Sequence, residues 1–193
     1  MIVVSLLIVI IPLIAEVKKT DSRIYVSNNS LKAAVFIDHS NIASPNLEPN
    51  LKKSKRIDYV KLKERLLQGF EGEAAFVFMG VTDPVRPEKK DFMRYLETAG
   101  FILLTRPLAK RRDGTYKQKQ VDILMTHIME WKAQAKDFDV AILVSGDADF
   151  VIAVNLLQDM NKGVIVWSWK KSLSSQLRDA VGNDNVFYID DIW

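Results

Sequence analysis

The stretch that decides the fold is VAILVSGDADF, residues 140–150. Its first five residues are all apolar, as in a strand buried on both faces, and they lead directly into Asp147 and Asp149. A helical pattern of apolar residues follows over 149–160. In an open parallel sheet, ligands bind in the crevice beyond the carboxyl ends of the strands. Two carboxylates at that edge suit a divalent cation, although a lone aspartate there is equally an ordinary helix cap.

The alternation of short apolar strands and helices extends over most of the chain. Strands are predicted over 33–38, 74–79, 101–105, 140–144, 163–167 and 186–189. Helices are predicted over 58–68, 87–99, 119–136, 149–160 and 173–180. Continuous apolar strands between helices predict a three-layer α/β/α fold with a central, mostly parallel sheet. We expect one domain over residues 31–193, without internal repeats.

The amino-acid composition limits which metals and which kinds of catalysis the chain can support. The chain has 193 residues, of which 48% are hydrophobic and 26% charged, which is enough for a sizeable core. It contains no cysteine and only two histidines, which excludes disulfides and thiolate chemistry and disfavours a zinc site. Any metal is therefore expected to be Mg²⁺ or Mn²⁺, bound by oxygen. A phosphotransfer enzyme is disfavoured because the chain has no P-loop and no aspartate-nucleophile motif after the first strand, and no organic cofactor is expected.

Residues 1–30 form an apolar extension outside this pattern. Residues 2–15 are nearly all aliphatic but shorter than the roughly 20 residues of a membrane span. We interpret the extension as peripheral, with a membrane anchor and mistaken upstream sequence as the alternatives. If residues 2–15 insert, Lys18, Lys19 and Arg23 would keep the domain in the cytoplasm, which is the predicted location.

Several acidic residues lie at the ends of predicted strands or at the start of a predicted helix. Asp38 ends the first strand, Asp147 and Asp149 follow the fourth, and Asp122 lies in the first turn of a helix after a basic loop. Four carboxylates in one pocket would repel each other strongly without a cation. We therefore predict that they bind Mg²⁺ or Mn²⁺ and position a water molecule for attack on a phosphate.

Several neighbouring residues have predicted supporting roles. Asn41 and Ser145 can hydrogen-bond a ligating carboxylate or a phosphate oxygen. His39 is expected either to contact substrate or to face solvent. His127 and Trp131, together with Ile123, follow the apolar spacing of their helix and are predicted to lie in the core.

Two basic clusters accompany the acids, and positive loops beside an acidic metal pocket suit a polyanion. The residues predicted to bind nucleic acid are Lys52, Lys53, Arg56, Lys110, Arg111, Arg112, Tyr116, Lys117 and Lys119. Tyr116, and also Trp167 or Trp169 after the fifth strand, are candidates for stacking on unpaired bases. The alternative is a solvated basic loop without a partner.

Three motifs resemble those of the NYN domain, the LabA-like or DUF88 branch of the PIN-like nucleases. They are FIDHSN at 36–41, KQVD at 119–122 and SGDADF at 145–150, the most specific of the three. The resemblance covers residues 31–192. It implies a PIN-like, Rossmann-like fold and a Mg²⁺- or Mn²⁺-dependent endoribonuclease that acts in RNA processing or decay. It also implies that Asp38, Asp122, Asp147 and Asp149 bind the metal and that Asn41 supports them.

The chain departs from the family at one position. Many members carry a further aspartate about one and a half turns after the equivalent of Asp122, where this chain has Ile128. The departure motivates a second hypothesis, in which the protein is an RNA-binding or regulatory module with a degenerate metal site and no cleavage activity. Whether the chain forms homo-oligomers is left open.

Overall fold

A six-stranded parallel sheet forms the centre of the structure, a computed structural model that describes residues 31–43, 57–110, 116–117 and 119–192. Its strands are β1 (Lys32–Asp38), β2 (Glu71–Val81), β3 (Ile102–Pro107), β6 (Val140–Val144), β7 (Gly163–Ser168) and β8 (Val186–Tyr188). Two short strands, β4 (Ala109–Lys110) and β5 (Tyr116–Lys117), pair antiparallel outside this sheet. The strand order is β3-β2-β1-β6-β7-β8, and every pair is parallel. The predicted parallel sheet is confirmed.

Helices cover both faces of the sheet, as the apolar strands require. They are α1 (His39–Ile42), α2 (Tyr59–Leu66), α3 (Pro87–Thr98), α4 (Lys119–Gln134), α5 (Val151–Asp159) and α6 (Ser175–Val181). Leu62 of α2 and Leu96 of α3 pack in one apolar cluster, with Val35 and Ile37 of β1. The opposite cluster holds residues of α4, α5 and α6 against Phe36. The architecture is therefore three-layered, and no helix within the described ranges is long and apolar enough to cross a membrane.

The strand order creates a crevice between β1 and β6. The chain runs from β1 through β2 to β3 on one side, and then returns to place β6 on the other side of β1. Such a reversal is the usual ligand site of an open α/β sheet. Ile37 pairs with Val144, so Asp38 at the end of β1 and Ser145 just after β6 lie side by side.

The rotation of α4 differs from the prediction. Its buried face consists of Val121, Met125 and Met129, spaced four residues apart. Ile123 and Trp131 are 63% and 56% exposed, and His127 between them is also exposed, so their predicted place in the core is wrong. Apolar residues line two sides of this helix, and the spacing alone does not show which side the sheet covers.

Candidate metal centre

Asp38 is the most enclosed carboxyl at the crevice, with 2% of its surface exposed. The backbone N–H groups of Ser40 and Asn41 donate to its Oδ1 over 3.1 and 3.3 Å, and the Ser40 hydroxyl donates over 2.7 Å. The Ser145 hydroxyl donates to Oδ2 over 3.3 Å. Burial raises the pKa of Asp38, and these hydrogen bonds oppose the rise. The carboxyl is thus fixed in orientation while its charge has no cationic partner among the described residues.

Asp147 and Asp149 lie across the crevice, after β6. The Asp149 N–H donates to Oδ1 of Asp147 over 3.0 Å, which caps a single 3₁₀ turn over Ala148–Phe150 that leads into α5. Phe150 is fully buried and anchors this turn. Asp147 is half-buried and Asp149 is exposed, so solvent reaches both residues although the Asp147 side chain caps the turn.

Asn41 ties the two sides together. Its side-chain oxygen accepts a hydrogen bond from the Gly146 N–H over 3.0 Å. The Asp147 N–H in turn donates to the Ser145 hydroxyl over 3.3 Å. Asn41 and Ser145, which were predicted to support the site, thus connect the loop after β1 with the loop after β6.

Asp122 reaches the same place from α4. Its carboxyl is half-buried, and its pKa is raised to about 6, first by burial and then by the charges of Asp38, Asp147 and Asp149. An electrostatic effect from all three places Asp122 within charge–charge range of each of them. The four acids that the sequence singled out therefore lie in one region of the crevice, and their role as metal ligands stays a prediction.

The chemistry of this donor set fits a hard divalent cation. The donors are oxygens only, they carry like charges, and no ion pair with a described basic side chain neutralises any of them. Within the described ranges, however, no three acidic, histidine or cysteine side chains already stand in coordinating geometry.

His39 is largely buried and does not face solvent, so that alternative for it is wrong, whereas a contact with substrate stays a prediction. Its Nδ1 lies 2.6 Å from the Tyr59 hydroxyl, and its Nε2 lies 3.0 Å from the Lys89 amine. Burial, and then the charge of Lys89, lower the pKa of His39 to about 3. The imidazole is therefore neutral and fully partnered at neutral pH. Tyr59 and Lys89 were missed because nothing in the sequence links them to Asp38.

Neither Trp167, within β7, nor Trp169, just after it, is available for base stacking, which corrects that prediction. Trp167 and Trp169 are each 8% exposed. Trp167 stacks on Phe187, with ring centroids 5.1 Å apart. The Trp169 Nε1–H donates to the carbonyl of Ile42 over 2.9 Å and so holds the end of α1.

Most of the predicted nucleic-acid contacts cannot be placed. Lys52, Lys53, Arg56, Arg111 and Arg112 lie outside the described residues. The backbones of Lys110, Tyr116 and Lys117 belong to the β4–β5 pair, and Lys119 opens α4, but their side chains lie outside what the structure describes. These contacts stay predictions.

Ile128 does not face the four acids. It is half-buried and packs against the apolar cluster beneath α4. Six residues separate it from Asp122, which corresponds to a rotation of about 120° around the helix axis. The position where the resemblance implied a further acid thus lies on a different side of α4 from Asp122.

The three-layer fold and the acids at the switch point define an α/β protein whose candidate site lies at the carboxyl edge of its parallel sheet. Comparison with known proteins shows which family of such proteins the chain belongs to. The NYN domain matches residues 32–188. The chain therefore belongs to the NYN domain family, which consists of PIN-like nucleases.

One solved structure shares the fold. A protein of unknown function from Vibrio parahaemolyticus is 28% identical, with a TM-score of 0.69, and the match covers 87% of this chain and 98% of that one. A dehydrogenase from Clostridium difficile is 15% identical with a TM-score of 0.34, and covers 83% of this chain and 39% of its own. The C-terminal domain of a hydrogenase from Pyrococcus furiosus is 10% identical with a TM-score of 0.38, covering 75% and 99%. The TM-scores of these last two structures are too low to indicate a shared fold. No curated protein matches the chain.

Proposed function

We propose that this protein is a metal-dependent endoribonuclease that hydrolyses RNA phosphodiester bonds with Mg²⁺ or Mn²⁺. The observation that carries the proposal is the placement of acids at the switch point of the sheet, where Asp38 ends β1 and Asp147 follows the paired strand β6. The charges of both, and of Asp149, act on Asp122 of α4 and help to raise its pKa. A cluster of this kind destabilises the folded chain unless a cation neutralises it, and such clusters mark functional sites. Membership of the NYN family supports a nuclease over other uses of the same site.

The four carboxyls would contribute differently to metal binding, because they differ in how firmly the structure holds them. Asp38, fixed by Ser40, Asn41 and Ser145, is the preorganised ligand. Asp147 and Asp149 approach from the loop after β6, and Asp122 closes the site from α4. When bound, Mg²⁺ or Mn²⁺ supplies stabilisation of a phosphoryl oxygen and acidifies a water molecule.

RNA is the proposed substrate, and the predicted basic residues are its proposed contacts. Arg106, at the end of β3, is exposed and begins the basic segment that continues to Lys119 at the start of α4. This segment joins the end of β3 to the start of α4, and both lie at the acidic edge of the sheet. Its positive charge therefore suits a polyanion bound there. Roles in RNA processing or decay, and membership of the LabA-like branch, rest on the motif resemblance.

The proposal is tested with labelled single-stranded RNA, Mn²⁺ and the isosteric substitution Asp147→Asn. The amide oxygen retains the cap on the Asp149 N–H, so the fold should persist while a charged ligand is lost. We expect cleavage to fall at least about 100-fold, since even partners of metal ligands typically contribute 10- to 100-fold. EDTA should abolish cleavage by the unmodified protein.

Asp159→Asn is the matched control, because Asp159 is exposed at the opposite end of α5. Its cleavage rate should equal that of the unmodified protein, and circular dichroism should be the same for all three proteins. Undiminished cleavage by Asp147→Asn would contradict the proposal. RNA binding without metal-dependent cleavage by the unmodified protein would favour the non-cleaving module instead.

A further inference from the structure

His39 joins three helices directly behind the metal centre. It opens α1, Tyr59 opens α2, and Lys89 lies in the first turn of α3. The His39 Nδ1 lies 2.6 Å from the Tyr59 hydroxyl, and Nε2 lies 3.0 Å from the Lys89 amine. We refer to these three residues as the His39 clamp.

The clamp permits only one arrangement of hydrogens when Lys89 is charged. An ammonium group donates and cannot accept, so Nε2 of His39 must be the acceptor. Nδ1 then carries the hydrogen and donates it to the Tyr59 oxygen. Both ring nitrogens are occupied, and the imidazole can rotate only by breaking both contacts.

Aromatic packing reinforces the clamp. The Phe92 ring lies 5.1 Å from the His39 ring and 5.6 Å from the Tyr59 ring. The Lys89 amine lies 5.3 Å from the centre of the Phe92 ring. Lys89 is half-buried and forms no ion pair with a described acid. Burying a charge beside a neutral ring costs free energy, which indicates a role beyond filling space.

The His39 clamp holds α1, the helix whose backbone N–H groups orient the Asp38 carboxyl. The Ser40 and Asn41 N–H groups that donate to Asp38 belong to α1, which has four residues and is far too short to persist by itself. Trp169 holds the far end of α1 at Ile42. The His39 clamp holds the near end.

We propose that Lys89 and Tyr59 are positioning residues for the metal centre. They hold His39, and through it the first turn of α1, so that Ser40 and Asn41 aim Asp38 at the ion. The inference rests on the proposed function for its purpose, but the geometry it describes can be measured without RNA.

The test compares the full chain with Lys89→Met, Tyr59→Phe and Lys89→Arg. Lys89→Met keeps an apolar stem and removes the donor, Tyr59→Phe removes the acceptor, and Lys89→Arg keeps a donor. Two measurements are made without RNA: the dissociation constant for Mn²⁺ by calorimetry, and hydrogen exchange at the Ser40 and Asn41 amides by NMR. Lys90→Met, on the exposed side of the same helix, is the matched control.

We expect Lys89→Met and Tyr59→Phe to accelerate exchange at both amides and to weaken Mn²⁺ binding about tenfold, the usual effect of losing a partner of a metal ligand. Lys89→Arg and Lys90→Met should resemble the unmodified protein. Unchanged exchange, or unchanged Mn²⁺ affinity despite faster exchange, would overturn the inference. If the unmodified protein binds no Mn²⁺, the proposed function fails, whereas exchange still decides whether the clamp holds α1.

Discussion

The Asp122 carboxyl makes folding sensitive to pH. Its pKa is raised from 3.8 to about 6 by burial and by the nearby charges of Asp38, Asp147 and Asp149. The folded, metal-free chain therefore holds this proton more tightly than the unfolded chain does. Between about pH 4 and pH 6 the folded state binds more protons, so the free energy of unfolding falls as the pH rises through this window.

Removing this charge should stabilise the metal-free protein. Asp122→Asn is expected to raise the free energy of unfolding at pH 7.5 by about 1 kcal/mol, which corresponds to about 2–4 °C in Tm for a chain of this size. The figure is well below the full shift because Asp122 is half-exposed and water screens the repulsion. Thermal unfolding in EDTA provides the measurement.

The gain should disappear at pH 4, where Asp122 is protonated in the folded chain. Asp159→Asn, which removes an exposed acid far from the cluster, should leave Tm unchanged at both pH values. A Tm for Asp122→Asn that is equal to or below that of the unmodified protein at pH 7.5 would show that the four carboxyls do not repel one another.

Individual site residues differed in how far the sequence could place them. Asp38 ends one strand, and Asp147 and Asp149 lie a few residues after another, so their common edge could be predicted from parallel pairing. The contacts of His39 could not be predicted, because Tyr59 and Lys89 belong to helices that only tertiary packing brings to it. Trp167 and Trp169 looked like exposed aromatic residues after a strand, but packing on Phe187 and Ile42 buries them.

At the scale of elements, the loop after β6 depends on a close approach at Gly146. A Cβ at this position would lie 2.3 Å from the Ser172 carbonyl oxygen and 2.5 Å from the Ser168 hydroxyl oxygen. The Gly146 carbonyl also accepts a hydrogen bond from the Ser174 N–H over 2.9 Å. The loops after β6 and β7 thus fit together only without a side chain here.

Gly146→Ala should therefore destabilise the protein and displace Asp147. Overpacking of this kind costs about 1–3 kcal/mol, and the backbone oxygen of Ser172 cannot move aside as a flexible side chain can. Urea unfolding should show a lower midpoint with an unchanged slope.

Gly163→Ala serves as the comparison, because its Cβ would meet a methyl group of Val140 at 3.3 Å, and this side chain can adjust. Its urea midpoint should fall by much less. Equal midpoints for the two variants would contradict the view that Gly146 is required by the backbone of the neighbouring loop.

The bounds and orientation of a helix or strand could be predicted where the sequence pattern showed clearly which residues are buried. β6 matches its predicted bounds because five apolar residues stand between polar ones. The four-residue α1 was not predicted, since its ends are held by His39 and Trp169 rather than by its own sequence. The rotation of α4 was mistaken because Ile123, His127 and Trp131 repeat at the same spacing as Val121, Met125 and Met129.

Across the whole molecule, the fold gathers acids at one edge of the sheet. Acids of β1, α4 and the loop after β6 lie there, and β3 ends and α4 begins at the same edge, with the basic sequence of residues 106–119 between them in the chain. The parallel architecture was predictable from the alternating pattern. The strand order was not, because nothing local shows that β6 returns beside β1.

This distribution predicts a salt-dependent attraction for RNA. In single-stranded nucleic acid, each phosphate neutralised contributes about 0.7 to the slope of log binding constant against log salt. If Lys110, Arg111 and Arg112 each contact a phosphate, replacing all three with alanine should reduce the magnitude of that slope by about 2. Binding should also weaken at low salt and converge with that of the unmodified protein at high salt.

The measurement is fluorescence anisotropy of a labelled RNA titrated with protein over a range of NaCl concentrations. EDTA is included so that cleavage does not interfere. Lys136→Ala is the control for charge alone, since Lys136 is exposed just beyond the C-terminal end of α4, the end farthest from the acids. It should leave the slope unchanged. A triple variant whose slope also stays unchanged would mean that the segment between β3 and α4 is a solvated loop, and that RNA, if bound, lies elsewhere on the molecule.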